Sequence, residues 1–86
     1  MKQSIGYKIW DIEDEAFIVS SGNVSFDTLE DCKQNLVTRN YYEAMDYDSR
    51  DELERSTLAK LSDECGCVII DETGNLVPSN KLKKVQ

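Results

Sequence analysis

The chain has 86 residues, of which 31% are charged and 40% hydrophobic, and its formal net charge is −7. This length and composition predict one globular domain with a single core and are typical of a globular rather than a disordered chain. The acidity disfavours direct binding to DNA, RNA or anionic lipid and favours a basic protein surface.

The first 23 residues predict an antiparallel hairpin. Residues 5–12 alternate as in a strand: Ile5, Tyr7 and Ile9 fall on one side, and Lys8, Trp10 and Ile12 on the other. The acidic run at 13–15 is typical of a turn, and 16–20 is the expected second strand. Residues 21–23, Ser-Gly-Asn, are expected to close the hairpin.

Two helices are expected next. Asp27 and Glu30 form a capping box, and apolar residues then follow at helical spacing. This pattern predicts either one helix from residue 28 to about 46 or a helix that breaks near Asn40, and the break is favoured because Asn40 and the two tyrosines after it are mediocre helix formers. A second capping box at 49–52 starts a helix predicted over about 50–65. Its core-facing residues are Leu53, Leu58, Leu61 and Cys65, and Gly66 is the expected left-handed C′ residue.

The C-terminal part predicts a second hairpin. Residues 67–70 are a buried strand, 71–75 a turn with Gly74 at a positive φ, and 76–77 a returning strand ended by Pro78. The predicted fold class is therefore α+β, with an antiparallel sheet from two hairpins and two helices on one face, in the order β-β-α-α-β-β. We expect a single domain over 1–80 and a flexible basic tail over 81–86.

The composition argues against catalysis. The chain has no histidine, which removes the most common general base and metal ligand, and its four glycines form no phosphate-binding loop. We therefore expect no enzyme activity, no cofactor and no metal. Cys32, Cys65 and Cys67 are expected to be reduced, mostly buried core residues, with redox regulation and metal binding as the alternatives.

The region from residue 42 to 54 combines tyrosines with acids, which suits a partner-binding surface in which acids steer association and aromatic residues hold the complex. The predicted partner-binding residues are Tyr42, Glu43, Asp46, Tyr47, Asp48, Asp51, Glu52 and Glu54. The rival site is the acidic hairpin tip at Glu13, Asp14 and Glu15. Core packing plus a solvated face is the structural alternative for the first site, and a merely solvated turn is the alternative for the hairpin tip.

Small size, acidity, the absence of catalytic motifs and a hairpin leading into residues 25–32 give the chain a general likeness to one class of protein. In these features it resembles small acidic inhibitors encoded by phages and mobile elements, which include anti-CRISPR proteins, nucleic-acid mimics and immunity proteins. The resemblance implies an inhibitor that blocks a basic nucleic-acid-binding host protein by electrostatic competition. A non-inhibitory regulatory or structural interaction subunit, possibly a homo-oligomer, is the alternative.

The cellular location is predicted from the cysteines and the N-terminus. Three cysteines are an odd count, and Met1–Gly6 has no apolar stretch behind its lysine. We therefore expect no signal peptide, no membrane span and a cytoplasmic protein with reduced thiols.

Overall fold

The computed structural model describes residues 6–39 and 50–85. The elements in chain order are β1 (Tyr7–Asp11), β2 (Ala16–Phe17), β3 (Ser25–Phe26), α1 (Leu29–Arg39), α2 (Arg50–Arg55), α3 (Leu58–Cys65), β4 (Cys67–Ile70) and α4 (Ser79–Leu82). The α+β class with an antiparallel sheet is confirmed. The predicted order β-β-α-α-β-β is wrong in detail, because a third short strand precedes α1 and a short helix follows β4.

Strand β1 is the centre of the sheet. It pairs with β4 along its length, with Trp10 opposite Val68 and Lys8 opposite Ile70. Since β4 occupies one side of β1, both β2 and β3 pair along the other side, one after the other. Beyond β4, the returning strand predicted at 76–77 is reduced to an isolated bridge between Leu76 and Ile70.

The two short strands β2 and β3 are one returning strand interrupted at residues 18–24, a looped-out segment here called the bulge. Phe17 lies opposite Trp10, and the strand resumes only at Ser25, opposite Lys8. The residues between loop out as a small turn in which Ser20 and Asn23 exchange both backbone hydrogen bonds at 2.9 Å. Ser21 and Gly22 both have positive φ, as in the two-residue turns typical of hairpins.

Helices α1 and α3 pack against the face of the sheet that carries Ile9 and Ile69, which we call the inner face. Helix α1 lies against β1 and β3, α3 against β4, and α2 against α1. The core formed there contains Ile9, Ile18, Cys32, Leu36, Val37, Leu53, Leu58, Leu61, Cys67, Ile69, Val77 and Leu82. The predicted core positions of the three leucines of the second helical region are therefore confirmed.

The helix ends depart from the prediction in two places. The cap of α1 is Thr28 rather than Asp27, because the Thr28 hydroxyl accepts the N–H of Asp31 at 3.1 Å. The helix predicted over about 50–65 is two helices, since Thr57 is extended and caps α3 through the N–H of Lys60. Gly66 is confirmed as the left-handed residue that ends α3, with φ 68°.

Tertiary contacts explain the break between α2 and α3. In a continuous helix the N–H of Leu58 would bond the carbonyl of Glu54. Instead the carbonyl of Glu54 accepts a hydrogen bond from the ammonium group of Lys33, which is buried. The N–H of Leu58 donates to the carbonyl of Val85 at 2.8 Å. Both halves of the hydrogen bond that would continue the helix are therefore taken by distant partners.

The C-terminal residues belong to the domain. We expected a flexible tail from residue 81, but α4 follows Pro78, Leu82 is buried, and Val85 packs against the core. The lysines at 81, 83 and 84 stay exposed. The predicted boundary at residue 80 therefore does not match the packing of the described residues up to 85.

Candidate protein-binding surfaces

The predicted acidic-aromatic site is only partly within the described residues. Tyr42, Glu43, Asp46, Tyr47 and Asp48 lie outside them. Asp51, Glu52 and Glu54, here called the α2 acids, lie on α2, where the first two are exposed and Glu54 is half-buried. The first two occupy the first turn of the helix, where negative charge also stabilises the helix dipole.

The α2 acids sit on the helical layer of the protein. Helix α2 packs against α1, and the ammonium of Lys33 on α1 donates to the carbonyl of Glu54. A buried ammonium requires such a partner because its hydration is lost. The position of α2 is therefore set by α1, on the side of the sheet that carries the core.

The rival site, here called the acidic tip, consists of Glu13, Asp14 and Glu15 in the turn between β1 and β2. All three side chains are exposed. The carboxylate of Asp11 accepts the N–H of Asp14 at 3.1 Å, and Glu15 has a positive φ of 53°. The turn is therefore held in shape by Asp11, and its three acids project at one end of β1.

A second group of acids lies at the other end of β1. Asp27, Asp71 and Glu72 border an open cavity of about 350 Å³ that Tyr7 and Lys81 also line. Hydrogen bonds from the Thr73 hydroxyl and the Asn75 N–H lower the pKa of Asp71. Asp71 thus stabilises the turn while it remains ionised, and both ends of the sheet are acidic.

The side of the sheet opposite the core, here called the outer face, is apolar. By strand alternation and register it carries Lys8, Trp10, Ile12, Phe17, Ser25, Val68, Ile70 and Leu76. Ile12 and Leu76 are 55% and 64% exposed, whereas the central side chains of Trp10, Val68 and Ile70 are half-buried. Among the described residues, none of the helices covers this face.

Trp10 and Phe17 form the centre of the outer face. Their ring centroids are 4.8 Å apart with an interplanar angle of 75°, which is the favourable edge-to-face arrangement. The ammonium of Lys8 lies 5.5 Å from the Phe17 ring centroid. The face is therefore an ordered aromatic surface rather than a set of scattered apolar residues.

The structure separates the two predicted sites. The α2 acids belong to the helical layer, whereas the acidic tip lies at an end of the sheet next to the outer face.

The outer face is a candidate surface that was not among the sites predicted from the sequence. The alternation of residues 5–12 placed Trp10 on the other side of the strand from Ile9, but that side was not identified as a binding surface. The signal was present, because residues 67–70 are apolar at every position and so supply apolar side chains to both faces.

Within the described part of the chain, no group of three or more His, Cys, Asp or Glu residues is placed to hold a metal ion. Cys32 and Cys67 are buried and Cys65 is half-buried. Burial raises the pKa of the Cys32 thiol to about 12 and that of Cys67 to about 11, so both are protonated at neutral pH.

Two further findings concern membrane-spanning helices and similarity to known proteins. None of the described helices is long and apolar enough to cross a membrane. No protein-family model matches this chain, and no curated protein or solved structure shows significant similarity to it.

Proposed function

We propose that this chain is a small acidic protein-binding module whose partner presents a basic surface, and that it inhibits a basic nucleic-acid-binding protein by occupying that surface. The observation that carries the proposal is the charge distribution. Among the described residues, 11 acidic side chains are exposed against 5 basic ones. Three of those five are the lysines at 81, 83 and 84, so the rest of the described surface is strongly acidic.

The positions of the acids support association with an extended basic surface. Acids occur at both ends of the sheet, at the first turns of α1 and α2, and near the end of α3. Such a surface raises the rate of encounter with a positively charged partner and repels polyanions. A protein that covers a nucleic-acid-binding groove with carboxylates competes with the phosphates that normally lie there.

Affinity capture on the immobilised protein tests the proposal. Captured proteins are expected to be basic and to be released as salt rises from about 0.1 M to about 1 M, because the screening length falls from about 10 Å to about 3 Å. Excess duplex DNA or RNA should also release them. Captured proteins that are acidic, or that resist both salt and nucleic acid, would contradict inhibition by electrostatic competition.

Two matched variants locate the acids that matter. One neutralises the acidic tip through Glu13→Gln, Asp14→Asn and Glu15→Gln. The other neutralises the α2 acids through Asp51→Asn, Glu52→Gln and Glu54→Gln. Each removes three charges, so total charge is the same in both. A larger loss of association rate in one variant than in the other assigns the contact surface, whereas no loss in either contradicts the proposal for the described acids.

A further inference from the structure

The outer face is as large as the face that α1 and α3 cover, yet within the described residues no helix lies on it. Residues Trp10, Phe17, Val68 and Ile70 do not belong to the core cluster or to the partly buried residues packed against it. We propose that the outer face binds one amphipathic helix of a partner protein, with basic residues flanking the apolar side of that helix. This inference rests on the proposed function only for the basic character of the partner.

The dimensions of the outer face suit a single helix. Strand β1 has five residues, or about 17 Å, and because β2 and β3 share one side of β1, the three side-by-side strand positions span about 10 Å. On the inner face, the 11-residue helix α1 packs against β1 and β3, and a helix of that length spans about 16 Å. A partner helix of three turns therefore matches the outer face in length and covers most of its width.

The charges at the two ends of the sheet argue against a second copy of this chain on the outer face. Both ends of β1 are acidic, with the acidic tip at one end and Asp27 and Glu72 at the other. Two sheets packed face to face would bring these acids together in either strand direction, and like charges would repel.

Pairing at the edges of the sheet is also disfavoured. The edge formed by β2 and β3 is interrupted by the bulge between Phe17 and Ser25. The opposite edge, at Leu76 and Val77, ends at Pro78, which has no N–H to donate. A partner strand would find few consecutive backbone groups, so contact through the face is the remaining mode for this sheet.

The test uses a synthetic 14-residue Leu/Lys peptide with leucines at helical spacing, together with the full-length protein. Trp10 is the chain's only tryptophan and lies at the centre of the outer face, so its fluorescence reports directly on occupancy. We expect the helical peptide to change Trp10 emission saturably. A Leu/Lys peptide of the same composition with strand-type alternation, and a Leu/Glu helical peptide, should bind at least about tenfold more weakly.

Two variants provide a matched pair. Phe17 and Val24 are 38% and 37% exposed, but Phe17 is on the outer face and Val24 is in the bulge. Phe17→Gln should weaken binding of the helical peptide by about tenfold, whereas Val24→Gln should change it less than about twofold. Leu76→Gln, at the edge of the same face, serves as a second outer-face variant if Phe17→Gln fails to fold by circular dichroism.

The outcomes separate this inference from the proposed function. Salt-sensitive peptide binding without a change at Trp10, or equal binding of the two Leu/Lys peptides, would overturn the outer-face assignment while leaving a basic partner in place. Dimerisation by sedimentation that Phe17→Gln abolishes would overturn it too, by assigning the face to a second copy. No peptide binding at all would overturn the inference, whereas the proposed function is decided by the charge variants.

Discussion

Leu58→Ala is expected to destabilise the protein severely. Leu58 is fully buried at the first residue of α3, next to the break between α2 and α3. Removing three carbons forfeits about 2.4 kcal/mol at about 0.8 kcal/mol per buried methylene. The cavity adds to this loss, so the total falls within about 2.7–5 kcal/mol. A domain of this size has a total stability of about 4–13 kcal/mol, so the variant loses a large share of it.

Leu76→Ala is the matched control, because it makes the same chemical change at a leucine that is 64% exposed. Its cost should stay below about 1 kcal/mol, since most of the side chain already contacts water. Urea unfolding followed by circular dichroism measures both, with a lower midpoint and an unchanged slope expected for Leu58→Ala. A loss below about 1 kcal/mol for Leu58→Ala, or equal losses for both variants, would refute the assignment of Leu58 to the core.

The contacts of α3 and the core thiols give three further predictions. Thr57→Ala should cost about 1 kcal/mol in urea unfolding, because it removes the side-chain cap of α3. Truncation after Leu82 removes Val85, whose carbonyl accepts the N–H of Leu58, so it should speed amide exchange at Leu58. The N–H of Leu61 bonds the nearby carbonyl of Thr57 and should exchange with less change. Equal changes at Leu58 and Leu61 would contradict this prediction. The Cys32 pKa is raised from 9.0 to about 12, so its contribution to stability is complete below pH 9 and is lost as pH rises through 12. Unfolding free energy should therefore fall over that range, and less so in Cys32→Val, which has no thiol.

Local chemistry made several elements predictable from the sequence. Gly66 was expected to end a helix because glycine adopts the left-handed conformation easily, and in that conformation its backbone N–H bonds carbonyls of the last helical turn. Tyr7 and Ile9 alternate with Lys8 and Trp10, and the strand does place the first pair toward the core. Leu53, Leu58 and Leu61 were expected in the core from their spacing alone. In each case the residues that form the sequence pattern and the element that they predict lie close together along the chain.

The candidate site was less predictable than the fold. The sequence identified two clusters of acids within the described residues, the acidic tip and the α2 acids. It did not show that one cluster belongs to the helical layer and the other to an end of the sheet. It also did not show that Trp10 and Phe17 meet on a face without helical cover among the described residues, because that depends on the register of β1 with β2.

The sequence by itself determined the approximate positions of the main helices and strands, the acidity and most core positions, since these depend on side chains and their near neighbours in the chain. Only the tertiary structure decided the break at Thr57, the bulge that divides β2 from β3, and the face of the sheet that the described helices leave open. The break shows the reason most directly. The Glu54 carbonyl and the Leu58 N–H would bond each other in an isolated helix, but Lys33 and Val85, distant in sequence, supply the partners instead.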